Sequence, residues 1–213
     1  MLKVYVGTIV PFRNPEIFSA GLSRLKEERQ KRILSFRSPD DRSRGLVAGL
    51  LLRRALHDAG ISYERAVFAE AEGGKPYLCD SSLFFNLSHA GECAICAVSH
   101  QEVGADVESL IRFADDTVRM QRLAEKIMSE TEMHDWKRAS SGEHLVRLWT
   151  KKESYVKLTG DGLRCDFGQI ETDSAAFYQG RKLLEQYYGC VCTREPEDAA
   201  EWIVIDNLEA EYV

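Results

Sequence analysis

Hydrophobic positions alternate through the first residues, Met1 to Val6, and predict a β-strand. Pro11 to Pro15 reads as a loop, after which the period changes. Leu22, Leu25, Arg29 and Ile33 share one helical face, predicting a helix from Pro15 to Ile33 with its other charges turned outward. Ser38-Pro39-Asp40-Asp41 signals a second helix start, with Ser38 as cap and Pro39 in the first turn. That helix carries Leu46, Val47, Leu50, Leu51 and Leu52 and runs to about Ala59, where Gly60 stops it.

From Ala66 to Glu108 the pattern shortens to strands and turns. Val67-Phe68-Ala69, a turn at Gly73-Gly74, and Lys75 to Leu78 come first. Leu83 to Leu87, a Ser88-His89-Ala90-Gly91 loop, Cys93 to Val98, and a strand bearing Asp106 and Glu108 follow. Helical spacing returns over Asp115–Lys126, Thr131–Arg138 and, most clearly, Gly142–Leu158, which Gly160-Asp161-Gly162 ends. Ile170–Thr172, Lys182–Tyr188, Val191–Thr193 and Trp202–Ile205 are candidate strands of a second sheet. The expected architecture is α+β: two halves, residues 1–103 and 104–213, packed against each other rather than tethered.

Composition narrows the function classes. At 213 residues, 44% hydrophobic and 29% charged, the chain has the make-up of a soluble globular protein with a sizeable core. Its longest apolar stretch, Leu46 to Leu52, is too short to span a bilayer, and no signal peptide is evident, so a cytoplasmic location is expected. A net charge of −6 argues against broad nucleic-acid binding, and an anionic ligand would need local cations. Cys93 and Cys96 form a C-x-x-C pair inside a strand pattern, which turns them to opposite faces. All six cysteines are expected to be reduced and structural. No P-loop or kinase signature is present.

Two segments carry candidate chemistry. In Val103-Gly104-Ala105-Asp106-Val107-Glu108 the carboxylates share one face of a strand, about 7 Å apart. In Leu148 to Lys157, Trp149, Glu153 and Lys157 form one helical stripe. If helix and strand meet, three carboxylates and a lysine converge, a site for a hard divalent cation and the phosphate it neutralises. Three carboxylates overcompensate one divalent ion, so an anionic ligand needs further cations, and Lys75, His89 and Lys157 are candidates. On residue pattern alone, Lys157 reads equally as an i,i+4 partner of Glu153, and Trp149 as packing.

The ordered segments Gly74-Lys75-Pro76, Phe85-Asn86-Leu87-Ser88-His89, Gly104-Ala105-Asp106-Val107-Glu108 and Trp149 to Lys157 resemble the Sfp-type 4′-phosphopantetheinyl transferases. That resemblance implies a pseudo-twofold pair of α+β halves with coenzyme A in the cleft between them. It implies Mg²⁺-dependent transfer of the phosphopantetheine arm of coenzyme A to a serine of an apo acyl or peptidyl carrier protein, releasing adenosine 3′,5′-bisphosphate. Asp106, Glu108 and Glu153 would hold Mg²⁺ (or Mn²⁺), and Glu153 is also a candidate base for the serine hydroxyl. Lys157 and His89 would contact phosphate. Gly74, Lys75, Pro76, Ser88, Lys31 and Arg44 complete the coenzyme site, Lys31 and Arg44 on the 3′-phosphate. Glu132 matches a further acidic position of the family. Leu158 to Leu184, with Leu163, Arg164, Phe177 and Tyr178, is the expected carrier-docking segment. The two-half length implies a monomer, and the net charge and short apolar stretches imply no nucleic-acid or membrane partner. The alternative is a protein of the same fold that binds coenzyme A or a carrier with little turnover.

Overall fold

The computed structural model of the chain describes residues 1–112, 116–138, 141–162 and 165–211. In chain order come β1 (Lys3–Thr8), α1 (Pro15–Leu22), α2 (Glu27–Ser35), α3 (Pro39–Asp58), β2 (Phe68–Glu70), β3 (Pro76–Leu78), β4 (Phe84–Ala90), β5 (Cys93–Ser99) and β6 (Val103–Ser109). Then follow α4 (Thr117–Ile127), α5 (Glu130–Arg138), α6 (Gly142–Thr159), the short α7 (Thr172–Ala175), β7 (Phe177–Leu183), β8 (Tyr187–Thr193) and β9 (Glu201–Val204). The expected α+β class is what the chain adopts, with helices and a sheet in each half.

The first sheet has the order β4-β5-β1-β9, the second β6-β8-β7, and β2 and β3 form a separate antiparallel pair. β5 is buried at all seven positions because both of its faces are covered. One face of this sheet packs under α3, where Tyr5, Leu46, Leu50, Leu51, Phe85 and Cys96 form the largest apolar cluster. The other face, with Val4, Val6, Cys93 and Ile95, packs against Val103, Ala105, Val107 and Val191 of the second sheet. Cys93 and Cys96 therefore belong to different cores, and all six cysteines are free thiols. A third cluster, including Ile127, Trp136, Leu145, Val156 and Phe167, supports α6 from beyond the second sheet.

Several local expectations are corrected. The predicted Pro15–Ile33 helix is two helices. Lys26 takes an extended conformation before α2, and this break inserts Leu25 beside Gly49 of α3. Ser88-His89-Ala90 is the end of β4, not a loop; the turn falls at Gly91, at φ +53°. Lys182–Tyr188 is a hairpin corner, with Leu184 and Glu185 in the left-handed region between β7 and β8. The Ile170–Thr172 stretch links a 3-10 turn to α7. The strand at Trp202 does not join the second sheet. β9 runs parallel to β1 in the first sheet, with Val4 opposite Trp202, and Leu208 joins the core under α3.

Candidate active site

The site forms where the edges of the two sheets meet. Period 2 on β4 sends Asn86 and Ser88 to one side, and period 2 on β6 offers the N–H groups of Ala105 and Val107. The Ala105 N–H donates to Asn86 Oδ1 at 2.9 Å and the Val107 N–H to Ser88 Oγ at 3.3 Å. These side chains do for the edge of β6 what a neighbouring strand would do, and they fix Asp106 between them. From the other side α6 presses onto β6 at Gly104. A Cβ there would stand 1.9 Å from the Ser154 carbonyl oxygen and 2.6 Å from the Leu158 nitrogen. Only glycine admits that approach, and it brings the Glu153 and Lys157 turns of α6 beside Asp106.

Lys157 Nζ lies 2.5 Å from Asp106 Oδ1 and 2.9 Å from Ser88 Oγ. Ser88 Oγ in turn donates to Asp106 Oδ1 at 2.8 Å, so its hydroxyl is fully engaged. Asp106 is 5% exposed, and its second oxygen is buried with no hydrogen-bond partner. Glu108, half-buried, pairs with Arg112. Trp149 stacks on Phe167 at 5.1 Å between centroids, and the Arg112 guanidinium lies 5.8 Å from the centre of the indole ring. Burial, followed by the charge of Asp106, pushes the Glu153 carboxyl above the usual range. Burial and Asp106 also raise Glu108, against the pull of Arg112.

Asp106, Glu108, Glu153, Lys157, His89 and Ser88 line a cleft of about 390 Å³. It shares Arg29, Arg32 and Pro76 with a neighbouring cavity of about 530 Å³ that also holds Tyr63, Phe68 and Phe85. It shares Pro76, Leu87, Glu153 and Lys157 with another of about 290 Å³ beside Gly74 and Lys75. The result is an elongated groove between the halves, of a size that suits one long ligand.

The sequence profile of the 4′-phosphopantetheinyl transferase superfamily matches residues 102–203, and that of the 4′-phosphopantetheinyl transferase N-terminal region matches residues 13–101. The chain is 32% identical over 194 residues to the 4′-phosphopantetheinyl transferase gsp of Aneurinibacillus migulanus, covering 83% of this chain and 78% of that one. It is 30% identical over 201 residues to a 4′-phosphopantetheinyl transferase of Bacillus subtilis (83% and 85% covered). It is also 30% identical over 194 residues to the 4′-phosphopantetheinyl transferase psf-1 of Bacillus pumilus (82% and 80% covered). The chain belongs to the 4′-phosphopantetheinyl transferase family.

Within this phosphopantetheinyl transferase the expected site residues fall into three groups. Asp106, Glu108, Glu153, Lys157, His89, Ser88 and Pro76 line one cleft. Lys75, Gly74 and Arg44 stand at its margins. Lys75 Nζ reaches the carbonyls of Val103 and Leu158 at 3.2 and 3.1 Å, tying the start of β6 to the end of α6, and burial lowers its pKa. Gly74 turns at φ +77°. Arg44 donates to the Gly91 carbonyl and pairs with Asp41. His89 sits near enough to Lys157 and Arg44 that crowding by protein, then these two cations, hold its pKa below the ordinary value. Lys31 is not brought to the groove. It is 72% exposed and paired with Glu27 on the outer face of α2.

The cations of α2 that do line the groove are Arg29 and Arg32. Arg29 was visible on the apolar stripe of its helix, where an arginine among leucines is the signal. Its Nη2 donates to the Gly45 carbonyl at 3.2 Å, and its Nε is buried without a partner. Asn86 and Trp149 are further residues whose positioning roles emerge from their contacts. Glu132 is structural in its contacts. It closes a capping box with Ser129 at the start of α5 and pairs at 2.6 Å with the fully buried Lys152. Among the docking candidates, Phe177 is exposed on β7 and Tyr178 lies under the Lys151 ammonium, whereas Leu163 and Arg164 lie outside the described residues.

The donor set suits a hard cation: three carboxylates around one cleft, one offering a buried, unpartnered oxygen. Among the described residues no three acidic, histidine or cysteine side chains are already gathered as a metal cluster. Asp106 and Glu108 hold Lys157 and Arg112 instead. No helix among the described residues is long and apolar enough to cross a membrane.

Proposed function

We propose that this chain is an Mg²⁺-dependent enzyme that transfers the 4′-phosphopantetheine arm of coenzyme A to a serine of an apo acyl or peptidyl carrier protein. The co-product is adenosine 3′,5′-bisphosphate. The carrying observation is the buried, unpartnered Asp106 oxygen in a cleft shared with Glu108, Glu153 and Lys157. Asp106, Glu108 and Glu153 would hold Mg²⁺ or Mn²⁺, which when bound neutralises charge on the pyrophosphate.

In the reaction the serine oxygen attacks the phosphorus that bears the pantetheine arm, and the bond from that phosphorus to the bridging oxygen breaks. The serine proton passes to Glu153, whose carboxylate lines the cleft beside Asp106 and Lys157. Lys157 holds the departing phosphate and His89 a neighbouring oxygen. Arg29 and Arg32, with Arg44, are the cations for the remaining phosphates, and Pro76 with Gly74 forms a wall of the groove. Residues 1–103 supply most of the coenzyme side, and residues 104–213 the metal site and the carrier dock. The enzyme works as a monomer in the cytoplasm, consistent with six free thiols.

The test is direct. Purified protein, coenzyme A, Mg²⁺ and a panel of apo acyl and peptidyl carriers should yield carriers heavier by about 340 Da, the mass of the covalently added arm. Absence of labelling across the panel would overturn the reading.

A further inference from the structure

Both deeply set carboxylates of the site already carry a cation of the protein's own, and the two cations differ in where they stand. Lys157 pairs with Asp106 at 2.5 Å and lines the ligand cleft, so a phosphate entering the cleft offers it a new partner. Arg112 pairs with Glu108 four residues earlier in the chain and is held over the Trp149 ring. It is not among the described residues that line the cleft. Trp149 lies beneath the Arg112 guanidinium while packing on Phe167. The guanidinium is thus fixed beside a carboxylate expected to serve a divalent ion.

We propose that Arg112 is an internal competitor of the metal: its guanidinium neutralises Glu108 and must release it before Glu108 can bind a divalent cation. This rests on the metal site proposed above. The consequence is a metal affinity set deliberately weak until the coenzyme contributes its own phosphate oxygens. Arg112 in this account touches no reacting atom; it is a positioning residue that tunes the occupancy of Glu108.

The experiment is titration of the full chain with Mn²⁺ alone, without coenzyme, followed by electron paramagnetic resonance of the free ion. Arg112→Met should tighten Mn²⁺ binding about threefold to tenfold, the range of a partly exposed charge pair. Arg112→Lys should fall between Arg112→Met and the parent. Arg147→Met removes a cation from an exposed α6 pair with Glu143 and should leave affinity unchanged. Mn²⁺ affinity equal to or weaker than the parent's in Arg112→Met, with thermal midpoint retained, would overturn the inference. So would equal tightening in Arg147→Met, which would indicate a general charge effect. If Arg112→Met does not fold, Arg112→Lys alone decides, and an unchanged affinity there counts against it. Should Mn²⁺ bind neither the parent nor any variant, even with coenzyme A added, it is the metal site itself that fails.

Discussion

The two long helices make an instructive pair. α3 and α6 each lie across a sheet, one in each half, yet α6 buries polar side chains among its apolar ones where α3 is almost wholly apolar. The buried residues of α3 are aliphatic or small, with Leu46, Leu50, Leu51 and Leu56 at or near zero exposure. The buried residues of α6 include Thr150, Lys152 and Ser154, all fully enclosed. Lys152 illustrates the difference. Its ammonium reaches the carbonyls of Ile127 and Phe167 at 2.7 and 2.9 Å and Glu132 at 2.6 Å, joining α6 to α4, α5 and the turn beyond. A greasy face can slide by part of a turn at modest cost, whereas a charge with three fixed partners cannot. The helix that packs is apolar, and the helix that must place Glu153 and Lys157 within a fraction of an ångström is bolted by polar contacts.

This contrast can be broken at several points. The largest effect falls on chemistry alone. Asp106→Ala should cut transfer by about a thousandfold or more, about 4 kcal/mol in the barrier. Its circular dichroism should remain native; retained turnover would remove Asp106 from the site.

Next come the helices themselves. Lys152→Met removes the buried ammonium from Glu132 and from the Ile127 and Phe167 carbonyls and should cost about 3–5 kcal/mol. Leu50→Ala should cost about 2–5 kcal/mol through a cavity. Denaturant titration would give similar losses, but activity per folded molecule should fall in Lys152→Met and hold in Leu50→Ala. Equal activity in the two would erase the distinction drawn between the helices.

Gly104→Ala, which drives a methyl into the Ser154 carbonyl, should cost about 1–3 kcal/mol and displace α6. Thermal melting together with a raised Mg²⁺ requirement would register it.

The smallest effect is a pH dependence. The folded pKa values of Glu108 and Glu153 lie above their unfolded ones, so the folded chain holds extra protons. Their contribution to stability is fully present below the ordinary carboxylate range and is lost as pH rises through the raised values. Metal binding needs the ionised forms and acts with the opposite sign. Mn²⁺ affinity should therefore climb as pH rises from about 5 and level off once both are ionised. A pH-independent affinity would contradict these shifts.

Much of the site was legible because local period fixes direction. Asp106 and Glu108 share a strand face, Trp149, Glu153 and Lys157 share a helix stripe, and the four ordered motifs pointed to the family. What the sequence could not show lies in pairings between distant segments. Nothing local in Trp202–Ile205 reveals that β9 crosses to β1, since any short apolar run fits either sheet edge. Nor does local pattern reveal that Asn86 and Ser88 serve the edge of β6. Helical phase separates Lys31, exposed and paired with Glu27, from Arg29 and Arg32, two positions earlier and one later, which are turned to the groove. Glu132 matched a motif whose purpose, capping α5 and pinning Lys152, appears only once the helices are assembled.

A crystal structure with coenzyme A and Mg²⁺ bound tests the central claim most directly. The account predicts a cation about 2.0–2.1 Å from oxygens of Asp106, Glu108 and Glu153. It also predicts the Lys157 ammonium moved from Asp106 onto a phosphate. Coenzyme A bound in the groove with Lys157 still on Asp106, and no cation among the three carboxylates, would contradict it.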